Sequence, residues 1–160
     1  MKRFIYLAAA VLCALSTSSC YEDYINDYKN SATYFASQKP LRTVIADRDM
    51  TIKIGAVIAG KREVDVNDFA HFTIDPDLVP DGKLIMPSEY YTLSDNNTMK
   101  VGKSNIPLME VTVSFTQAFY NDPDAVGAKY VIPLRITDSS LDSILTGKEA
   151  TVVAVKYISA

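Results

Sequence analysis

Apolar and polar residues alternate with a period of two along much of the chain. Met109, Val111, Val113 and Phe115 are interleaved with Glu110, Thr112, Ser114 and Thr116, the pattern of a strand buried on one face. Tyr130, Ile132, Leu134 and Ile136 alternate with Val131, Pro133, Arg135 and Thr137. Pro133 has no amide to donate, so this strand is expected at a sheet edge or with a bulge there. Ile52, Ile54, Ala56 and Ile58 make a third apolar face, with Lys53 pointing away. Thr151 to Ile158 is apolar on both phases except at Lys156, as in a strand covered twice. Shorter candidates are Thr33–Phe35, Arg42–Ile45, Phe69–Ile74, Tyr90–Leu93 and Thr98–Val101. Turn signals stand between the runs: Ala59-Gly60-Lys61, Asp75-Pro76-Asp77, Pro80-Asp81-Gly82, Asp95-Asn96-Asn97, Asp122-Pro123-Asp124 and Thr146-Gly147. About seven to nine short strands punctuated this way predict an all-β antiparallel sandwich. Helix is confined to a turn or two at Gln117–Tyr120 and Ser140–Leu145, the second capped by Asp138 or Ser139.

The first residues follow other rules. Lys2 and Arg3 precede an apolar run from Phe4 to Leu15, then Ser16, Thr17, Ser18, Ser19 and Cys20. A charged start, a short apolar core and small residues before a cleavage point make a secretory signal. The run falls short of the roughly 20 apolar residues that span a bilayer. A Cys directly after small residues resembles the bacterial lipoprotein signal, in which that Cys is lipidated and becomes the first residue. Thr17 stands where that signal usually has leucine, and Leu15 lies two places further back. Cys13 is a poor alternative, because Leu12 before it is too large for the cleavage position. The expected organisation is a signal peptide over 1–19, a lipidated Cys20 and tether over 20–32, and one domain over 33–160. The tether is polar with scattered tyrosines. Its Glu22 and Asp23 resemble the acidic signal that sends Bacteroidota lipoproteins to the outer face of the outer membrane.

Composition narrows the function. With Lys+Arg 16 against Asp+Glu 19 in 160 residues, the chain lacks the basic stripe of a nucleic-acid binder. Cleavage before Cys20 leaves one cysteine, committed to lipid, so no intrachain disulfide is expected. The single histidine, His71, falls on the polar phase of its strand, and without a second His or a free thiol no transition-metal site is expected. Asp75, Asp77 and Asp81 crowd one loop, but they lack the ligand order of a calcium loop and read as turn formers. No nucleophile elbow or phosphate loop occurs, so neither catalysis nor a cofactor is expected. Sugar binding on a sandwich uses exposed aromatic rings with polar neighbours. The candidates are Tyr90, Phe119 and Tyr120, with Asn121, Asp122 and Asp95 as hydroxyl partners. The same rings also suit a plug at the end of a sandwich. Asp142-Ser143-Ile144 looks like the Asp-Ser/Thr-apolar sequon of exported Bacteroidota proteins, which makes Ser143 a candidate O-glycosylation site.

A wider resemblance runs through Tyr21–Tyr28 (YEDYINDY), Thr51–Arg62 (TIKIGAVIAGKR), Phe72–Leu78 (FTIDPDL), Met86–Leu93 (MPSEYYTL) and above all Tyr130–Ile158 (YVIPLRITDSSLDSILTGKEATVVAVKYI). These stretches resemble a domain-of-unknown-function family at the N-terminus of Bacteroidota surface lipoproteins. The resemblance implies an immunoglobulin-like sandwich without catalytic residues of its own. In the family it often precedes a module resembling a family 18 endo-β-N-acetylglucosaminidase, a concanavalin-like lectin or a discoidin-type domain. With Ala160 directly behind the last strand, such a module is expected on a separate chain or to be absent. The expected role is a lipid-anchored accessory in glycan capture or adhesion, facing the cell exterior, with a glycan or a neighbouring lipoprotein as partner. A structural spacer without a ligand is the alternative, and a glycoside hydrolase the least favoured reading.

Overall fold

The computed structural model describes residues 30–46, 48, 51–61, 63–103 and 106–159. The expected signal peptide, Cys20 and the expected tether up to residue 29 lie outside the described residues. Eleven strands follow in chain order: β1 (Ala32–Tyr34), β2 (Leu41–Ile45), β3 (Thr51–Ala59), β4 (Phe69–Ile74), β5 (Leu84–Ile85), β6 (Tyr91–Leu93), β7 (Thr98–Val101), β8 (Leu108–Phe115), β9 (Tyr130–Ser139), β10 (Ser143–Ile144) and β11 (Ala150–Ile158). One short helix, α1 (Gln117–Asn121), follows β8. The fold is all-β, as the alternation predicts. The strands outnumber the expected seven to nine, and the surplus includes the two-residue pieces β5 and β10.

The strands form one hydrogen-bonded path, β10-β1-β3-β8-β7-β4-β9-β11-β2, with β5 also on β9 and β6 also on β8. The path curls on itself: Ile54, Val111 and Val113 from its first half share one core with Ile132, Leu134 and Val153 from its second. Most pairs are antiparallel, but β1 with β10, β2 with β11 and β5 with β9 run parallel. The parallel β2 arises because the chain leaves the first layer after Tyr34 and crosses to the second. There the carbonyls of Gln38 and Pro40 accept the amides of Val152 and Ala154.

β8 realises its alternation residue by residue, with Met109, Val111, Val113 and Phe115 buried. β3 buries Ile54, Ala56 and Ile58 and leaves Lys53 outside, where it meets Glu110 at 3.0 Å. β9 departs from expectation. It is flanked by β4 on one side and β11 on the other, so it is no edge strand, and its bulge against β4 falls between His71 and Phe72 rather than at Pro133. Pro133 is tolerated because the pairing of β4 ends with Ile74 opposite Leu134 and that of β5 reaches no further than Val131. The missing donor falls in the gap between those two neighbours, where only the Asp75 amide bonds back to the Pro133 carbonyl.

The expected helical turn at Ser140–Leu145 is instead β10. Asp142 accepts from the Ser31 amide at 2.7 Å and from its hydroxyl at 2.8 Å, which ties this segment to the start of β1 rather than capping a helix. The chain then turns at Thr146-Gly147. Gly147 has φ +80° and Lys148 donates to Leu145, a type II turn that requires a residue tolerant of positive φ.

Candidate functional site

The three candidate ring residues do come together, at the end of the sandwich where β8 runs into α1. Thr116 starts the helix, its amide bonded to the Tyr90 carbonyl and its hydroxyl donating to the Glu89 carbonyl at 2.6 Å. One turn later Phe119 points into the core with no exposed surface. Its ring lies 4.9 Å from Phe115, 5.3 Å from Tyr120, 5.7 Å from Tyr157 and 6.1 Å from Tyr90, mostly edge to face. Phe119 is therefore no sugar platform: its faces are already spent on neighbouring rings. Tyr90 and Tyr120 are half-buried and pack against the same cluster. The sequence had placed Tyr130 and Tyr157 on strands without linking them to this end. Tyr130 packs edge to face on Tyr90 at 5.5 Å, and Tyr157 on Tyr120 at 5.4 Å.

Asp122 organises the polar side of the cluster. It ends α1 and caps the following 3-10 turn, Pro123–Gly127, accepting the Asp124 amide at 2.9 Å. Its other oxygen accepts the hydroxyls of Tyr130 at 2.5 Å and Tyr90 at 2.9 Å. The Tyr130 hydroxyl first, then the Asp124 amide, hold the Asp122 carboxyl below the usual carboxylate range. The same contacts push both phenols upward. Asp122 is thus a fixed anion turned inward onto phenols. The other two hydroxyl partners expected for a sugar are also engaged: Asp95 takes the Asn97 and Thr98 amides and Lys100, and Asn121 takes the Gln117 amide group.

A pH dependence follows. A carboxylate with a depressed folded pKa contributes stability fully above its unfolded value, about 3.9, and loses that contribution as pH falls through the folded value. Asp122→Asn removes one such group. The variant is expected to be less stable at neutral pH and to lose less further stability between about pH 4 and pH 2. Urea unfolding across that range checks this, and parallel pH profiles would show that Asp122 does not titrate with folding.

The remaining candidates sit apart from this end. Ser143 is exposed on β10, at one end of the sheet path, its hydroxyl donating to the Ser31 carbonyl at 3.2 Å. His71 shares a hydrogen bond of 3.0 Å with the Thr98 hydroxyl, and its ring lies 4.7 Å from Phe69. Asp75 caps the 3-10 turn Pro76–Leu78 and accepts Arg135 Nε at 2.6 Å, so the acidic loop is spent on a turn and an ion pair. Among the described residues no group of three His, Cys, Asp or Glu side chains is arranged to hold a metal ion. Among them, too, no helix is long and apolar enough to cross a membrane.

A family model described as an N-terminal domain matches residues 23–143. The chain belongs to that family. The match stops within the closing block that resembles the family most, Tyr130–Ile158. A protein of unknown function from Bacteroides ovatus shares 25% identity, with a TM-score of 0.70 over 80% of this chain and 52% of that one. A multidomain Bacteroides ovatus protein including DUF1735 is 14% identical, with a TM-score of 0.52 over 81% of this chain and 46% of its own. A candidate carbohydrate-binding protein from the same species is 17% identical, with a TM-score of 0.55 over 78% of this chain and 36% of its own. The last two share the fold. The chain thus spans about half, or less, of the length of these relatives. No curated protein matches it.

Proposed function

We propose that this chain is a non-catalytic accessory module for glycan capture, held on the outer face of the outer membrane by lipid on Cys20. The observation that carries the reading is membership of a family of N-terminal domains. The fold shared with a candidate carbohydrate-binding protein from Bacteroides ovatus adds the glycan. In this organisation residues 1–19 are the signal and Cys20 opens the tether, while the domain starts at Ser31, which bonds to Asp142 ahead of β1. Ser143, exposed at a sheet edge, carries the O-linked glycan. Mass spectrometry of the membrane fraction checks the anchor: a lipidated peptide beginning at Cys20 is expected, lost in Cys20→Ala. An unmodified peptide starting upstream of Cys20 would overturn it.

Any sugar surface at the aromatic end rests on Tyr90 and Tyr120, with Phe119 behind them. Ring contacts contribute on the order of 1 kcal/mol each beyond burial, and so do exposed hydrogen bonds. Against the entropy lost on association, about millimolar affinity for a free oligosaccharide is the expected ceiling. Capture then depends on many copies crowded on one membrane, or on a partner lipoprotein with a second site. A glycan array followed by calorimetry, with Tyr120→Ala as control, tests this. Submicromolar binding untouched by that substitution would reject both the affinity and the residues. The second reading, a spacer without a ligand, is favoured by the inward packing of Phe119 and the commitment of both phenols to Asp122. Silence across the array would select it.

A further inference from the structure

Among the described residues, the crossing of the chain from one layer to the other leaves two strand edges open. Ile58 donates to Pro107 on the β8 side. By the alternation of an antiparallel strand, Ile52, Ile54 and Ala56 face β8 as well, and Lys53, Gly55, Val57 and Ala59 face the opposite side. β1 covers that opposite side only at Val57 and Ala59, through Tyr34 and Ala32. Among the described residues the main-chain groups of Lys53 and Gly55 therefore meet no strand. On the second layer β2 pairs, among the described strands, with β11 alone. Pro40 accepts from Ala154 and Ala46 donates to Ile158, so the amides of Leu41 and Thr43 point away from β11.

Between the two edges opens a cleft of about 110 Å³, lined among others by Phe35, Pro40, Arg42, Lys53, Gly55 and Thr151. The cleft has room for a side chain entering from an added strand. Its charge is one-sided. Arg42 is exposed and has no carboxylate partner among the described residues, and Lys39 is exposed beside Pro40. Lys53 pairs with Glu110 at 3.0 Å, while its own side chain stays 63% exposed. Gly55 leaves the β3 edge without a side chain at the point where another backbone would approach.

We propose that this seam is a strand-addition site for an extended acidic segment of a partner protein. The partner's main chain pairs with Lys53 and Gly55 on the β3 edge. One of its Asp or Glu side chains enters the cleft beside Arg42. An extended segment presents donors and acceptors in the alternation that an open edge demands, and pockets for alternate side chains then give specificity. The surplus of positive charge at the mouth selects an acidic one. This site is separate from the aromatic end, and its fate does not depend on glycan binding.

The test uses the full chain and a fluorescein-labelled peptide alternating valine and glutamate. Anisotropy should show binding that weakens about tenfold or more with Arg42→Gln, and as much when lysine replaces the peptide's glutamates. Amide exchange at Lys53 and Gly55 should slow about tenfold or more in the complex. Because Arg42 is exposed, its substitution is expected to leave folding intact, and N-methylation of the peptide backbone removes the pairing without touching the protein. Failure of the peptide to bind, binding indifferent to Arg42→Gln, or unchanged exchange at Lys53 and Gly55 would each overturn the proposal. So would galacturonate occupying the cleft, or self-association sensitive to Arg42→Gln, without peptide binding.

Discussion

Val113→Asp is expected to unfold the domain at neutral pH. Val113 has no exposed surface and sits mid-strand in β8, opposite Ile52 on β3 and Leu93 on β6. Val111 and Phe115 bury the same face on either side of it. A carboxylate there loses water and gains no partner, at a cost of several kcal/mol against a total stability of about 5–15 kcal/mol. Protonation is its only relief, so the defect should shrink in acid as the burial-raised pKa is passed. Thr112→Asp, one residue along, is half-buried on the outward face opposite Lys53. It should change stability by no more than about 0.5 kcal/mol. Urea unfolding followed by circular dichroism compares the two. Equal midpoints would mean that β8 is displaced by one residue, since such a slip exchanges its faces.

What the sequence reveals depends on how many residues vote on each feature. β8 and β3 are legible because each is long, antiparallel and wet on one face, so alternation is imposed at every position. β9 shows the limit. Val131 and Pro133 are buried as well as Ile132 and Leu134, and Pro133 suggested an edge. A proline needs only a local gap in the facing ladder, and the gap between β4 and β5 is set by the neighbours' lengths, which nothing in residues 130–139 reports. β5 and β10 escape detection because two residues have no period. β10 in addition owes its pairing to Ser31, far away in the chain, where a local reading of Asp138 or Ser139 as a helix cap had no view. Residue type and sequence neighbourhood bring out Tyr90, Phe119 and Tyr120 as aromatics at strand ends and loops, and the structure gathers them at one end. Which way its rings point was not legible, because a five-residue helix carries too few turns for a face to declare itself.

Phe119→Ala separates the two readings of that end. A ring that served as a sugar platform would leave stability intact when truncated and would reduce binding alone. Phe119 instead fills the space between Phe115, Tyr90, Tyr120 and Tyr157, and Ala125 beyond α1 is buried as completely. Truncating a buried phenylalanine typically costs about 3–5 kcal/mol, the removed transfer free energy plus the cavity left behind. Partial collapse is resisted here because the Tyr90 phenol beside Phe119 is tied to Asp122 and cannot swing freely into the void. For a domain of this size the loss corresponds to a fall in Tm on the order of 10 °C. Tyr120→Phe keeps the ring and removes one hydroxyl, worth about 1 kcal/mol, so it should shift Tm by less than the Phe119→Ala change. Calorimetric melting of the parent and both variants decides the matter. A Phe119→Ala chain that melts with the parent would place the ring outside the core and restore it as a surface for ligand.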